Sequence, residues 1–147
     1  MAGLDQMNTV TGQCLCGKVR FEVDGDLGET RLCYCGLCRR ANGSAFSANV
    51  RVPIVRHRLL TGREYIREYE SSPGAFRAFC SQCGSPVYAR VLSDPANIRI
   101  RLGTLAQKAQ AKVAAHVWVS SKPDWYSIDD DLPEYDEGFG SRRVTRK

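Results

Sequence analysis

The sequence predicts a mostly-β fold whose small sheets would be stabilised by bound metal. Short runs of alternating apolar and polar residues recur along the chain and are separated by turn residues, which is typical of a mostly-β architecture. Seven cysteines occur in paired and tripled spacings. Because small sheets bury a limited core, metal ions would add stability that such a core does not supply by itself.

Turn residues and alternation set the limits of the predicted strands. Val19, Phe21 and Val23 alternate with charged neighbours, so one face of their strand is apolar. Pro53 interrupts the pattern further along, and Thr61-Gly62 marks a turn. In chain order, strands are predicted over residues 10–14, 17–24, 30–32, 44–52, 55–60, 64–70, 75–80, 86–92, 98–102 and 117–119.

Three segments depart from the strand pattern. Residues 38–42 are expected to form a short helical turn that Gly43 closes. Residues 105–114 have a weak helical pattern, and the chain from Lys122 onward is expected to be coil. Aromatic and aliphatic side chains usually pack in cores, so we expect packing rather than ligand contacts from four of them. These four are Trp118, Trp125, Tyr126 and Leu132.

Length and composition indicate a globular protein that is not inserted in a membrane. The chain has 147 residues, of which 43% are hydrophobic and 25% are charged. We predict one domain over residues 1–147, with a core at about 10–136 and a basic tail at 141–147. No apolar run approaches the roughly 20 residues of a membrane helix, and the first ten residues do not resemble a signal peptide. We therefore expect a cytoplasmic location, in a reducing compartment.

The positive charge of the chain is concentrated in its tail. The formal net charge is +5, and Arg142, Arg143, Arg146 and Lys147 contribute four of these charges. The remaining 17 basic residues, 21 minus four, are almost balanced by 16 acidic ones. A nucleic-acid-binding protein normally has a concentrated basic face, whereas we expect this tail to be frayed. The sequence therefore predicts no nucleic-acid partner.

Four cysteines have the spacing of a closed zinc site, and we call them the first cluster: Cys14, Cys16, Cys80 and Cys83. In the CxC pair, residues i and i+2 of a strand face the same way, so both thiolates can reach one ion. In the CxxCG pair the chain curls around the metal, and Gly84 tolerates the tight backbone. Four thiolates leave no position for substrate, which predicts a structural zinc. Iron–sulfur ligation and simple buried thiols stay open as alternatives.

Three further cysteines lie in a CxCxxC loop, and we call them the second cluster: Cys33, Cys35 and Cys38. Catalytic zinc sites characteristically have three protein ligands and one position for water or substrate. Zinc with three thiolates is net negative, so the adjacent Arg39 and Arg40 would help to hold it. The sequence therefore predicts a second zinc, with the three cysteines as candidate catalytic residues.

Three alternatives stay open at this loop. His57 or His116 could supply a fourth ligand and make the second cluster another structural site. The thiols could instead be redox-active without a metal. Arg39 and Arg40 could be solvated surface charge rather than contacts to a substrate.

The motifs together resemble those of the glutathione-dependent formaldehyde-activating enzyme family, which also includes centromere protein V. The resemblance covers roughly residues 10–136, and it has one departure, because relatives often have histidine where this chain has Tyr34. The matching segments are Gly12-Gln13-Cys14-Leu15-Cys16-Gly17-Lys18-Val19-Arg20-Phe21, Cys33-Tyr34-Cys35-Gly36-Leu37-Cys38-Arg39-Arg40, Phe79-Cys80-Ser81-Gln82-Cys83-Gly84-Ser85-Pro86-Val87-Tyr88, Leu102-Gly103-Thr104-Leu105, His116-Val117-Trp118 and Lys122-Pro123-Asp124-Trp125.

The resemblance implies a fold, two metals and a reaction class. It implies a β-tent, in which small and mostly antiparallel sheets surround a four-cysteine structural zinc. It also implies that the first cluster holds this zinc and that the second cluster holds an active-site zinc, two ions per chain. The implied activity is that of a carbon–sulfur lyase, which condenses glutathione with formaldehyde to S-hydroxymethylglutathione, so the implied partner is a small thiol such as glutathione. The alternative is a non-catalytic binding module with two structural zinc sites.

Overall fold

The computed structural model describes residues 8–145, which divide into two compact units. The first unit comprises residues 8–28 and 50–111, and the second comprises residues 29–49 and 112–145. Arg146 and Lys147 of the predicted tail lie outside the described residues. Among the described residues, no helix combines the length and the apolar character of a membrane span. The single domain expected from the length stays a prediction.

The mostly-β prediction is confirmed, because most of the secondary structure of the described chain is strand. A single α-helix, α1 (Gly36–Asn42), accompanies the strands of the described chain, together with short 3₁₀ turns. The strands are β1 (Thr9–Gln13), β2 (Arg20–Asp24), β3 (Glu29–Cys33), β4 (Ser47–Pro53), β5 (His57–Thr61), β6 (Ile66–Ser72), β7 (Ala75–Cys80), β8 (Pro86–Val91), β9 (Asn97–Arg101), β10 (Lys112–Val117), β11 (Glu134–Tyr135) and β12 (Arg143–Val144).

The first unit is built from antiparallel pairs. Strand β2 pairs with β1 on one side and with β5 on the other, and β6, β7, β8 and β9 follow one another as a meander. Gly62, with a φ of 89°, lets the chain after β5 approach the backbone of Lys18 closely. The alternating positions form the core: Cys14, Val19, Phe21, Val23, Val50, Val52, Ala78, Cys80, Val87, Ile98 and Ile100. Two cysteines of the first cluster therefore belong to this core.

The second unit is built around β10. Strand β10 pairs in parallel with both β3 and β11, and β11 pairs antiparallel with β12. Parallel neighbours need a long crossover, and here about 80 residues separate β3 from β10, whereas the shorter segment between Val117 and Glu134 connects β10 to β11. A small core of Leu32, Tyr34 and Ile128 is covered by Phe46 and Tyr126. The end of β3 and the start of α1, which carry the second cluster, therefore lie beside a packed aromatic group.

The helix predicted over residues 105–114 is wrong. Leu105 forms an isolated antiparallel bridge with Gly12, and Gln110 has a left-handed φ of 58° that interrupts any helix. Strand β10 then begins at Lys112. The helical pattern was weak, so pairing and packing of this segment outweigh its intrinsic preference.

Two other expectations need correction. Trp125 is 69% exposed and Trp118 is 36% exposed, so these two side chains are not core residues, whereas Tyr126 does pack as expected. The tail is ordered as far as β12, because Arg142 forms an ion pair of 2.9 Å with Asp136 and β12 pairs with β11. Ion pairing and strand pairing, neither visible in the tail's own sequence, order this part of the chain.

Candidate metal centres

The sulfurs of the first cluster converge at one point of the first unit. Cys14 follows β1, and Cys80 is the last residue of β7. The CxxCG turn closes through a 2.7 Å hydrogen bond from the Gly84 amide to the Cys80 carbonyl, and Gly84 has a φ of 79° that suits glycine. Ser85 joins the two halves, since its hydroxyl oxygen accepts from the Leu15 amide at 2.8 Å.

The spacing of these sulfurs fits a tetrahedral metal. The ligand atoms of all four cysteines lie within 4.8 Å of one another. The Sγ atoms of Cys14 and Cys16 are 3.6 Å apart, and those of Cys16 and Cys80 are 3.9 Å apart. A tetrahedron with Zn–S distances of about 2.3 Å has sulfurs about 3.8 Å apart. All four cysteines are free rather than joined in disulfides, so the donor set suits zinc.

Hydrogen bonds in the first cluster favour the thiolate, the form that binds metal, at Cys83 and Cys14. At Cys16 a hydrogen bond from the Lys18 backbone is outweighed, because desolvation and the neighbouring thiols raise its pKa to about 11. A hydrogen bond from the Ser85 side chain lowers the pKa of Cys83 to about 5, with help from the Ser85 and Cys16 backbones. The Val19 amide donates to the Cys14 sulfur at 3.3 Å. Cys14 and Cys80 are buried, whereas Cys16 is exposed and Cys83 is half-buried. Two sulfurs of the first cluster therefore lie in the core, and the exposed Cys16 lies at the side from which an ion can enter.

The second cluster lies where β3 passes into α1. Cys33 ends β3, Cys35 caps the helix, and Cys38 lies one turn further along. The Cys38 amide donates to the Cys35 sulfur at 3.4 Å. The three sulfurs lie within 4.8 Å of one another, and within the described part of the chain this group consists of these three ligands alone. The CxCxxC loop therefore presents three converging thiols without a fourth protein ligand from the described residues.

The crowding of these thiols favours a bound cation. Hydrogen bonds to Cys35 and Cys38 raise the pKa of Cys33 far above its usual range, because they stabilise the protonated thiol. A metal ion reverses this preference, since a coordinating thiol is deprotonated outright. All three cysteines are free, so the donor set of the second cluster also suits zinc.

The two arginines that follow the loop differ in their contacts. Arg39 is half-buried, and its Nε donates to the Tyr34 carbonyl at 3.3 Å. Arg40 is exposed, and its guanidinium lies above Gly36, since a Cβ built at that glycine would lie 3.1 Å from the guanidinium nitrogen. Arg39 thus binds the loop itself, and Arg40 presents charge to solvent next to the loop.

The hydrogen bonds of His116 bear on the alternative in which a histidine supplies a fourth ligand to the second cluster. Its Nδ1 lies 2.8 Å from the Tyr34 hydroxyl, and its Nε2 lies 3.0 Å from an Asp130 oxygen. With both ring nitrogens engaged, His116 is not a ligand of the second cluster in this arrangement. His57 belongs to the first unit, where burial lowers its pKa.

The contacts of His116 are the part of the site that sequence reasoning missed. Tyr34 and His116 are 82 residues apart, and His116 and Asp130 are 14 residues apart. No spacing motif connects them, and the acidic run around Asp130 gave no reason to single out one carboxylate. The burial of Tyr34 raises its pKa, so the hydroxyl remains protonated and able to donate.

Comparison with known proteins supports a single family. The family of glutathione-dependent formaldehyde-activating enzymes matches residues 9–121, which include both clusters. A Halomonas elongata protein provisionally named as such an enzyme is 28% identical over 130 residues, covering 80% of each chain. An uncharacterized lyase of Schizosaccharomyces pombe is 25% identical over 117 residues, covering 80% of this chain and 83% of its own.

A solved structure shares the fold. A Rhodobacter sphaeroides protein superposes with a TM-score of 0.57 at 24% identity, covering 70% of this chain and 96% of its own. This likeness concerns the fold alone, and it agrees with the β-rich architecture described above. Because the family match spans most of the chain and both cysteine clusters, the chain belongs to the glutathione-dependent formaldehyde-activating enzyme family.

Proposed function

We propose that this protein is a zinc-dependent carbon–sulfur lyase that handles the adduct of a small thiol and a small aldehyde, with glutathione and formaldehyde as the reference pair. The observation that carries the proposal is the contrast between four converging sulfurs in the first cluster and three in the second. Four thiolates close a zinc site, whereas three leave a position for substrate. The names of the two relatives, one glutathione-dependent and one a lyase, support the same reaction class.

Each cluster has a separate role in this proposal. Cys14, Cys16, Cys80 and Cys83 bind a structural zinc that joins the end of β7 to the turn after β1. Cys33, Cys35 and Cys38 bind the active-site zinc, which makes two ions per chain. Seven free cysteines suit a reducing compartment, and we propose the cytoplasm as the location.

The reaction needs a reactive sulfur next to an electrophilic carbon. A zinc ion with an open position supplies this chemistry when bound, because it lowers the pKa of a thiol or polarises a carbonyl oxygen. In the condensation, the thiol sulfur bonds to the carbonyl carbon, and the thiol proton ends on the former carbonyl oxygen. In the lyase direction that sulfur–carbon bond breaks and the proton returns to sulfur, so the atoms balance without a further reactant.

The residues around the loop can orient a thiol such as glutathione. Glutathione has two carboxylates, and arginine binds carboxylates through two parallel hydrogen bonds. Arg40 is exposed beside the loop, so we assign it to substrate binding, whereas Arg39 is occupied with the Tyr34 carbonyl. The guanidinium charges of Arg39 and Arg40 would also offset the net negative charge of a zinc ion bound by three thiolates.

The test is a rate measurement on the zinc-loaded protein. Exchange between formaldehyde and its glutathione adduct is followed by NMR, with cysteine and 2-mercaptoethanol as comparison thiols. We expect exchange above the uncatalysed rate, its loss in Cys35→Ser, and a raised KM for glutathione in Arg40→Gln. Absence of any thiol-dependent acceleration, with two zinc ions bound per chain, would overturn the proposal.

A further inference from the structure

Three side chains connect the second cluster to the surface of its unit. The Tyr34 hydroxyl lies 2.8 Å from Nδ1 of His116, whose Nε2 lies 3.0 and 3.1 Å from the two oxygens of Asp130. Tyr34 is completely buried and His116 is 2% exposed, whereas the Asp130 side chain is 47% exposed. We infer that Tyr34, His116 and Asp130 form a positioning chain that holds the CxCxxC loop in the conformation in which its three sulfurs converge.

For a neutral His116 ring beside an ionised Asp130, the chemistry of the three groups sets the direction of the hydrogen bonds. An ionised carboxylate only accepts, so Nε2 of His116 carries a hydrogen and donates it to Asp130. In the neutral ring Nδ1 is then an acceptor, and the Tyr34 hydroxyl donates to it. Asp130 also accepts from the Leu132 amide at 3.0 Å, which fixes the carboxylate itself. Each member of the chain is thus oriented by the next.

Tyr34 restrains the positions of the proposed metal ligands because it lies between two of them in the sequence. It follows Cys33 and precedes Cys35 in the loop. Its amide donates to the Val117 carbonyl at 3.1 Å, and its carbonyl accepts from Arg39 at 3.3 Å. With the amide, the carbonyl and the hydroxyl all engaged, the backbone between the two cysteines has little freedom to move.

Packing reinforces the same orientation. The Tyr34 ring lies edge-on to Phe46 with centroids 5.6 Å apart, and tilted against Tyr126 and His116 at 6.0 and 5.7 Å. A loop that is already ordered loses less conformational entropy when an ion binds, so its affinity for the ion is higher. Partners beyond the direct ligands typically change metal affinity by about 10–100-fold.

We regard the three residues as positioning residues, because their polar atoms bond to one another rather than to substrate. The family match ends at residue 121, so Asp130, the outer member of the positioning chain, lies in a segment outside that match. The inference rests on the proposed function in one respect, since it assumes that the second cluster binds zinc.

The experiment measures thiol protection at each cluster separately. The zinc-loaded full-length protein is treated with iodoacetamide, and the rate of alkylation of every cysteine is followed by mass spectrometry. The variants are Asp130→Ala and Tyr34→Phe, with Asp130→Asn as a conservative replacement that keeps an acceptor for His116. Asp129→Ala is the matched control, because Asp129 is an exposed acid one position earlier.

We expect Asp130→Ala and Tyr34→Phe to speed alkylation of the second cluster by about tenfold or more and to leave the first cluster unchanged. Asp130→Asn should restore protection to within about threefold of the parent rate, and Asp129→Ala should match the parent. Second-cluster rates within twofold of the parent in both main variants, or an equal rise at all seven cysteines, would overturn the inference.

Turnover of glutathione and formaldehyde, measured on the same samples, separates the two proposals. Active parent protein with unchanged alkylation in the variants would overturn the positioning chain alone. Inactive parent protein with a protected second cluster that Asp130→Ala exposes would overturn the lyase proposal and support the positioning chain. A second cluster unprotected in the zinc-treated parent would overturn both.

Discussion

Replacing Cys80 with serine removes one of four sulfurs from the first cluster and places a hydroxyl in the core of the first unit. Structural zinc contributes about 10–16 kcal/mol in small zinc-dependent peptides, so a quarter share is about 2.5–4 kcal/mol. Cys80 is completely buried, and an unpartnered serine hydroxyl there costs about 1–3 kcal/mol more. The sum of about 3.5–7 kcal/mol is comparable to the whole stability of a domain at the lower end of the typical range of about 5–15 kcal/mol. We expect the Cys80→Ser protein to be insoluble or unfolded.

The matched control is Cys35→Ser, which makes the same atomic change in the second cluster. Cys35 is only half-buried and caps a helix of seven residues, so its loss should leave the fold intact. The assay combines zinc content per chain with thermal unfolding followed by circular dichroism. We expect one zinc and near-parent unfolding for Cys35→Ser. A Cys80→Ser protein that unfolds at the parent temperature, or a Cys35→Ser protein that does not fold, would refute the assignment of the two roles.

Three further predictions concern the fold and its charges. Gly62→Ala should destabilise the protein by about 3 kcal/mol or more, because the residue has a φ of 89° and its new Cβ would collide with the Lys18 carbonyl. Glu68→Gln should cost about 0.5–1 kcal/mol at pH 7, because it breaks the part-exposed ion pair of 2.7 Å with Arg90. Removal of zinc by a strong chelator should unfold the first unit and lower the melting temperature of the whole protein.

Each of these predictions has an outcome that would contradict it. Nothing lies within 4 Å of a Cβ built at Gly103, so Gly103→Ala should change stability far less than Gly62→Ala, and equal effects would contradict the steric argument. The hydrogen bond from Arg90 lowers the pKa of Glu68 below the ordinary 4.5, so its stabilising effect is present above that pH and is lost as the pH falls through the lowered value. If the loss of stability caused by Glu68→Gln became larger below pH 4, the result would contradict this reasoning. Chelated protein that melts like the parent would contradict a structural metal.

The two cysteine clusters could be predicted from the sequence because most of their geometry is local. The pairs CxC and CxxC, and the triple CxCxxC, place neighbouring sulfurs together by backbone geometry alone. Only the meeting of Cys14 and Cys16 with Cys80 and Cys83 needs the fold, and the paired spacings already indicated it. The strands of the first unit were predictable for a similar reason, since alternation at Val19, Phe21 and Val23 follows from one buried face.

The features that sequence analysis missed all depend on distant partners. Strand β10 replaces a weakly predicted helix because it pairs with β3, and that partner lies far away in the chain. The contacts from Tyr34 through His116 to Asp130 join three remote positions without any repeating spacing. Trp125 is exposed although tryptophan usually packs, and nothing among the described contacts explains its position.

Diffraction at the zinc absorption edge from crystals of the full-length protein tests the central claim most directly, because it locates each ion and its ligands. We predict two anomalous peaks per chain. One should have four sulfur ligands at about 2.3 Å, and the other should have three sulfurs and one ligand that is not part of the protein. The expected sulfurs are those of Cys14, Cys16, Cys80 and Cys83 for the first peak and of Cys33, Cys35 and Cys38 for the second. A single peak, or a second ion closed by a fourth protein ligand, would contradict the account.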